Sequence, residues 1–544
     1  MRLLKTSLLC SAAAFAGAGA AQAADLPVKK AVPIEYVRVC GAYGAGFFYI
    51  PGTDTCLRLS GRARFEGGYQ PTYSRTGTRN FGDTAGYRTL GRFNLDARTQ
   101  TAYGTLRAFV RLDVASRTGG SYGGGTSGTQ QRYGNAYAAL GIDTFGRAQQ
   151  YVNLDKAFIQ FAGLTAGRAS SFFDFYAHDF EFNGYSLGSD TSSTNLLAYT
   201  ATMGNGLSAT LSVEDPTFRR TPVFSPLSNT VTAANGSVTN FGLTNVPTPI
   251  FYRTATGALA TNTVNIIQAN RMPDFVGVLR LDQAWGSAQL SAAVHEINIQ
   301  DPTVIAGGVP GAVVTPHANS VYGWGVQGGL KINAPFIAPG DALYLQGAYA
   351  NGAQMYTGYC MYSGCEAQTS ATLQGQKFDQ YFNDAVVNPI TGQLQTSTSF
   401  TATAAYLHYW SPEWRSAFIG SYGEQNFSSA IRYGQGLVFQ NFAGISGTNA
   451  IGAPGTRFFQ LSQALRDTYE FSVGGNLIWS PVKDLDIGVE ALYTQFGVKN
   501  GRVIDNDKDP TAYTRITAIN AGGFVRTTTS DGVEQIRFRV QRDF

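Results

Sequence analysis

Between Leu57 and Tyr69, apolar and polar residues alternate without a break. The odd positions read Leu57, Leu59, Gly61, Ala63, Phe65, Gly67 and Tyr69; the even positions read Arg58, Ser60, Arg62, Arg64 and Glu66. Successive side chains of a strand point to opposite faces, so this segment is a strand with one oily and one wet face. The period recurs. Phe93, Leu95 and Ala97 stand against Arg92, Asn94, Asp96 and Arg98, and Leu106, Ala108, Val110, Leu112 and Val114 against Arg107, Arg111 and Asp113. In the last segment Ile536, Phe538, Val540 and Phe544 stand against Arg537, Arg539, Gln541 and Asp543. Leu207–Val213 and Leu485–Leu492 alternate less perfectly.

Sixteen strands are predicted, near 56–70, 86–100, 104–117, 153–161, 164–171, 197–203, 207–214, 275–284, 287–296, 321–333, 341–350, 400–410, 415–424, 467–480, 485–496 and 534–544. Their connections alternate between short and long. The short ones include Gln100–Tyr103, Gly204-Asn205-Gly206, Trp285-Gly286, Ser411–Trp414 and Pro481–Asp484; the long ones cover roughly 71–85, 118–152, 172–196, 215–274, 297–320, 351–399, 425–466 and 497–533. Tight turns at one end and long loops at the other are the layout of a transmembrane β-barrel. Hydrocarbon offers no hydrogen-bond partners, so a spanning sheet must close on itself. A secreted two-sheet protein would also alternate, but it would not need a long loop at every second connection.

Composition narrows the choice. Of 544 residues only 14% are charged, while 64 are Gly, 29 Tyr and 35 Phe. So many aromatics do not fit a disordered chain. A helical membrane protein would show several apolar runs of about 20 residues, and none follows the N-terminus. Residues 1–23 read as a secretory signal: Arg2 and Lys5, then the small apolar stretch Ser7–Gly19, then the A-x-A site Ala21-Gln22-Ala23. The mature chain is expected from Ala24, with 24–55 an N-terminal periplasmic segment and 56–544 the barrel. Losing Arg2 and Lys5 lowers the formal charge from +4 to +2. That balance is too close to neutral for a nucleic-acid partner. Cys40, Cys56, Cys360 and Cys365 of the exported chain read best as the disulfides Cys40–Cys56 and Cys360–Cys365. Zinc is the rival, disfavoured because no His lies near either pair.

Several stretches are similar to the general porins of alphaproteobacteria. These are Val37-Arg38-Val39-Cys40 through Tyr49-Ile50-Pro51-Gly52-Thr53-Asp54-Thr55-Cys56, Phe158-Ile159-Gln160-Phe161-Ala162-Gly163 through Gly167-Arg168, and Leu281-Asp282-Gln283-Ala284-Trp285-Gly286. The ending Phe538-Arg539-Val540-Gln541-Arg542-Asp543-Phe544 resembles the signal read by the barrel-assembly machinery, with Phe544 as its key residue. The resemblance implies a sixteen-stranded homotrimeric barrel amid outer-membrane lipid and lipopolysaccharide. It implies passive diffusion of small hydrophilic solutes, with no cofactor and no enzymatic activity. It also implies that the third long loop, after Ser170-Ser171-Phe172-Phe173, folds into the lumen. The loops near 215–274 and 351–399 are long for the family.

Seven arginines lie on the wet faces of the first three strands: Arg58, Arg62, Arg64, Arg92, Arg98, Arg107 and Arg111. They are expected to face Asp179 and Glu181 of the third loop, with Asp174 nearby, as a pore constriction that sets ion selectivity. The alternative is pairing with Asp96, Asp113 and Glu66 along the wall. A solute-selective channel or a receptor-like structural barrel are the other functional readings.

Enzyme motifs are weak. Gly119-x-Ser121-x-Gly123, Gly184-x-Ser186-x-Gly188 and the glycines 123, 125 and 128 lack the strand-to-helix context their mechanisms require. Ser291 and His295 share a strand face without a third group. Asp505, Asp507 and Asp509 resemble the start of a calcium loop, but Pro510 and Ile516 stand where Gly and Glu are needed. No metal site is expected.

Overall fold

The computed structural model describes residues 38–69 and 85–118, and 149–544 with short interruptions between 177 and 446. One antiparallel sheet of seventeen strands forms the wall. The two-residue strand Phe48–Tyr49 lines its margin. The other strands are β1 (Cys56–Tyr69), β2 (Ala85–Thr101), β3 (Gly104–Thr118), β4 (Gln149–Phe161), β5 (Leu164–Ala169), β6 (Thr194–Gly204), β7 (Leu207–Glu214) and β8 (Asp274–Gln283). They continue as β9 (Gly286–Asn298), β10 (Ser320–Asn333), β11 (Ala342–Asn351), β12 (Thr398–Tyr409), β13 (Trp414–Asn426), β14 (Thr468–Val482), β15 (Leu485–Val498) and β16 (Ser530–Asp543). Each pairs with its neighbour in sequence, and β1 pairs with β16 from Arg62↔Asp543 to Tyr69↔Ile536. All sixteen predicted strands are present, most of them one to four residues longer than predicted.

The connections at one end are as short as two residues. Ala162 and Gly163 have φ of 49° and 88°, and Asn205 and Gly206 have 49° and 77°, the left-handed pair that lets a two-residue hairpin follow the strand twist. The opposite end carries every long connection. No described helix is long and apolar enough to cross a membrane, so any crossing is made by the strands.

The alternation resolves as the patterning requires. Phe93, Val110 and Phe538 are 57%, 39% and 43% exposed on the outer face, and Leu57 shares that face half-buried. Arg62, Arg64 and Arg92 point inward. Aromatic residues collect at both rims. Trp414 stacks on Trp479 at the short-turn end, and Trp324 packs against Tyr349 near the long-loop end. Such belts sit where an apolar band meets headgroups.

The seam closes around a glycine. Gly61 N–H donates to Phe544 O (2.8 Å), and Phe544 N–H donates back to Gly61 O (3.1 Å). A Cβ at Gly61 would lie 2.6 Å from the Phe544 ring and 2.4 Å from Arg92 O. Only a residue without Cβ lets the last ring lie against the first strand.

Residues 38–55 fold back over the lumen side of β1 and β2 at the short-turn end. Cys40–Cys56 is a disulfide with Cα atoms 5.9 Å apart. Phe47 is buried against it, and the Arg98 guanidinium lies over Phe47 (5.0 Å) and Tyr43 (5.7 Å). Cys360 and Cys365 lie outside the described residues, as does the 1–23 segment.

The long loops build a folded layer over the opposite mouth. The hairpin Pro247–Arg253 with Leu259–Asn265 and the helix α1 (Ser429–Asn441) belong to it. Val223, Ile250, Ile266 and Val387 share one apolar cluster, and Phe251, Val438, Phe458 and Ile519 another. In this layer Asp379 is buried, and burial pushes its carboxyl up to about 6 against an opposing hydrogen bond from Thr448. A raised carboxyl favours the folded layer while it is protonated. The contribution is full below the ordinary value of 3.8 and is lost as pH rises through about 6. Hydrogen exchange of residues 378–388 should therefore quicken between about pH 4 and about pH 8 beyond its intrinsic pH dependence. Asp379→Asn should reduce that excess, the rest belonging to Asp384, which burial also raises; the same excess in both proteins would exclude Asp379 as its source.

Candidate functional site: the lumen constriction

The connection between β5 and β6, residues 170–193, leaves the wall and crosses the lumen. Its course is set by side chains from eight consecutive strands. Ser291 Oγ of β9 and Gln327 Nε2 of β10 donate to Phe173 O (2.9 and 2.8 Å), and Tyr176 N–H donates to Gln346 Oε1 of β11 (2.8 Å). Thr403 of β12 donates to Leu187 O, while Leu187 N–H donates to Ser421 Oγ of β13 (2.9 Å). Asn476 of β14 donates to Phe180 O (2.6 Å), Phe182 N–H donates to Glu490 of β15 (2.6 Å), and Arg539 of β16 donates to Phe182 O (2.6 Å). An irregular loop inside a barrel must satisfy its own backbone groups, and the wall supplies the partners. Small neighbours make room: a Cβ at Gly329 would lie 2.3 Å from the Phe175 ring.

The loop is held against β9–β16, and β1–β4, which follow β16 around the barrel, carry a dense set of inward charges. Arg62 meets Asp543 (2.6 Å), Arg92 meets Asp113 (2.7 Å), and Arg98 and Arg107 both meet Asp96 (2.8 and 2.9 Å). Arg111 donates to Asn94 (3.0 Å) and Asp155 (3.3 Å). Arg64 donates to Gln541 (2.6 Å) and lies 3.6 Å from Glu66, which also meets Arg88 (3.1 Å) and Arg539 (2.6 Å). Arg58 faces the same lumen, exposed beside Gly46. Three guanidiniums around the single carboxylate of Glu66 leave a local positive surplus.

The loop carboxylates divide. Asp179 and Glu181 line a cavity of about 180 Å³ together with Arg62, Arg64, Arg415 and Arg539. Glu181 is also a brace of its own loop, accepting from Tyr176 Oη (3.3 Å), His178 Nδ1 (3.2 Å) and Ser186 N–H (3.1 Å). Asp174 is turned toward the long-loop layer. It accepts from Arg219 (2.7 Å), whose guanidinium lies 4.4 Å from the Tyr356 ring. Tyr356 packs edge-on to Phe173 and donates to Asp274 (2.6 Å). The outer layer and the constriction loop are therefore bolted together through Arg219 and Tyr356.

Sequence reasoning missed Arg88, Asp155 and Arg415, and it did not show that the eight side chains, Arg539 among them, are anchors. Asp155 is the extra residue of a bulge: Arg111 pairs with Lys156 while Leu112 pairs with Leu154. A bulge breaks the period of two, so alternation cannot assign that residue to a face. The anchors did leave a signal: single polar residues at inward positions among Gly, Ala and Val, as in Val326-Gln327-Gly328.

The motifs at residues 119–128 lie outside the described residues; the others resolve structurally. His178 Nδ1 does come within 2.9 Å of Ser186 Oγ, but Ser186 is 1% exposed and donates to Glu181. A hydroxyl so enclosed is a brace, not a nucleophile. Ser291 donates to Phe173 O while His295 Nδ1 pairs with Asp274 (2.8 Å), so the two have separate partners. Asp505 accepts the N–H groups of Asp507 and Lys508, and Asp509 pairs with Arg515. The calcium-like loop is thus closed on itself.

The family model described as "Porin subfamily" matches residues 25–521. The chain belongs to the porin subfamily. Porin Omp2b of Brucella suis is 32% identical over 359 residues, covering 61% of this chain and 81% of that porin, and Omp2b of Brucella neotomae is 32% identical over 375 residues, covering 64% and 84%. Among solved structures, the outer membrane channel DcaP of Acinetobacter baumannii aligns with TM-score 0.48 and 13% identity over 91% of this chain and 99% of that one. An anion-selective porin from Comamonas acidovorans aligns with TM-score 0.39 and 9% identity over 90% and 100%. This porin is a bacterial outer-membrane β-barrel channel.

The anchoring of the loop in the porin is testable at one bond. Gln346→Leu leaves the Tyr176 N–H without its acceptor in a buried site, at a cost of about 1–3 kcal/mol. Open-channel current noise should rise, whereas the outward-facing Leu345→Ile should leave it unchanged. Equal noise in the two variants would show that this bond does not hold the loop.

Proposed function

We propose that the porin is a water-filled pore for passive diffusion of small hydrophilic solutes and ions, a homotrimer embedded in outer-membrane lipid and lipopolysaccharide. The observation that carries this reading is the asymmetric lumen. A loop bearing Asp179 and Glu181 is held on β9–β16, while Arg58, Arg62, Arg64, Arg92, Arg98, Arg107 and Arg111 stand on β1–β3, and Arg62 and Arg64 line one cavity with the two carboxylates. Charge of opposite sign across a narrow aqueous gap creates a transverse field. The field orients polar solutes and disfavours apolar ones, for which ordered water would have to be displaced. The wall arginines act here although they are ion-paired, because Arg62, Arg92, Arg98, Arg107 and Arg111 stay partly open to the lumen and the buried cluster around Glu66 keeps a positive surplus. Asp179 carries more of the acidic side than Glu181, whose oxygens are engaged within the loop, and Asp174 belongs to the bolt rather than to the gap. Phe544 at the seam suits a role in delivery by the barrel-assembly machinery, and no arrangement above favours enzymatic chemistry.

One observation favours a narrower reading, a solute-selective channel: the folded layer over the outer mouth presents an ordered surface before the constriction. Planar-bilayer recording separates the two. A general pore gives large steps that no single solute blocks, and a selective one gives small steps blocked by its solute. For the constriction itself, Arg64→Gln should move the reversal potential toward cation preference, and Asp179→Asn toward anion preference. Each should change the permeability ratio by about twofold. If neither potential moves, the transverse field is not what these residues supply.

A further inference from the structure

On β14 and β15, just to the long-loop side of the constriction loop, three inward side chains have oxygens with no partner. Glu470 is 0% exposed and both of its carboxylate oxygens lack a hydrogen-bond partner among the described residues. Ser472 (1% exposed) and Thr494 (0%) likewise leave Oγ and Oγ1 unengaged. The three are neighbours by construction. Ser472 and Thr494 are directly opposite in the ladder, and Glu470 precedes Ser472 by two residues on the same face, opposite Phe496. On the other flank Ser472 faces Ser421, which holds the constriction loop through Leu187. Tyr359 closes the niche from the outer layer, its hydroxyl donating to Thr468 (2.9 Å).

We propose that Glu470, Ser472 and Thr494 bind one dehydrated monovalent metal cation, of the sodium or potassium class. The argument is one of charge and reach. A buried carboxylate needs a donor or a counter-charge, and no described Lys, Arg or His forms an ion pair with Glu470. A neutral carboxyl would need an acceptor for its own O–H, and the two hydroxyls do not come within hydrogen-bond geometry of it. Oxygens that share a hard cation behave in this way: their lone pairs point at the ion rather than at hydrogens of one another. A single carboxylate cancels one positive charge, so a divalent ion would leave a net charge in a dry site. A cation here ties the β14–β15 wall to the loops beside it, a role separate from conduction and independent of the constriction reading.

The test compares the purified, folded porin in sodium, potassium and choline chloride at equal ionic strength, choline being too bulky for the niche. The midpoint of thermal unfolding should stand about 2–4 °C higher in one of the metal salts than in choline chloride, since a ligand bound only by the folded state raises its stability. Glu470→Gln should abolish the difference, and Ser472→Ala, which keeps the carboxylate, should reduce it. Rubidium in crystals of the wild type should give an anomalous peak between the three side chains. Equal midpoints in all three salts, or an undiminished difference in Glu470→Gln, would overturn the proposal and leave Glu470 a neutral buried acid. Where Glu470→Gln fails to fold, Ser472→Ala and Thr494→Val decide: an undiminished response in both overturns the site.

Discussion

Every strand in hydrocarbon must have its N–H and C=O groups paired within the sheet, because lipid supplies no substitute. A sheet that satisfies this rule has no edges, so its first and last strands must meet. Here the requirement falls on one seam, where β16 runs beside β1 and the reciprocal Gly61–Phe544 bonds carry the ladder to the last residue. The short turns follow from the same rule. Sixteen antiparallel strands place the start of β1 and the end of β16 at the rim of the short turns, and the residues free to vary are left at the other rim. The long loops are therefore not decoration on the barrel. They collect on the one side where added chain leaves the ladder intact.

The same rule explains why a loop can enter the lumen. Residues 170–193 carry backbone groups that a dry interior would leave unpaired, and the wall answers them with Ser291, Gln327, Gln346, Thr403, Ser421, Asn476, Glu490 and Arg539. Each costs little, because it replaces a bond to water with a bond to the loop. Together they hold a segment that has no regular structure of its own. The bolt through Arg219 and Tyr356 adds the outer layer to this scaffold, so the constriction is gripped from the wall and from above.

Much of this was legible from residues 57–69 alone, because a period of two is the strongest statement a strand can make about its surroundings. The pattern placed the outer face at Phe93 and Val110 and the wet face at the arginines. It failed at Asp155, where a bulge shifts parity, and it was silent on partners. Arg92 finds Asp113 directly across the ladder, which register makes visible, but Asp174 finds Arg219 across 45 residues of chain. Pairings within the sheet are encoded by alternation. Pairings between loops depend on tertiary packing, which leaves no periodic trace. Likewise Ser186 and His178 meet only because the loop doubles back, so their sequence spacing could not show whether they were brace or catalyst.

Two arcs of the wall thus carry different loads. In β1–β4 the inward positions are long and charged, and they pair with one another, which keeps guanidinium groups in place beside water. In β9–β14 they are mostly small or amide-bearing, because a loop lies on them and a longer side chain would meet it, as Phe175 against Gly329 shows, while Glu490 of β15 and Arg539 of β16 hold the loop by charge. A lumen uniformly lined with arginine could not seat the loop. One uniformly lined with small residues would seat it without an opposing charge. Gathering arginines on β1–β3 and small residues under most of the loop lets one chain satisfy both demands, and the constriction follows from where each kind of side chain is tolerated.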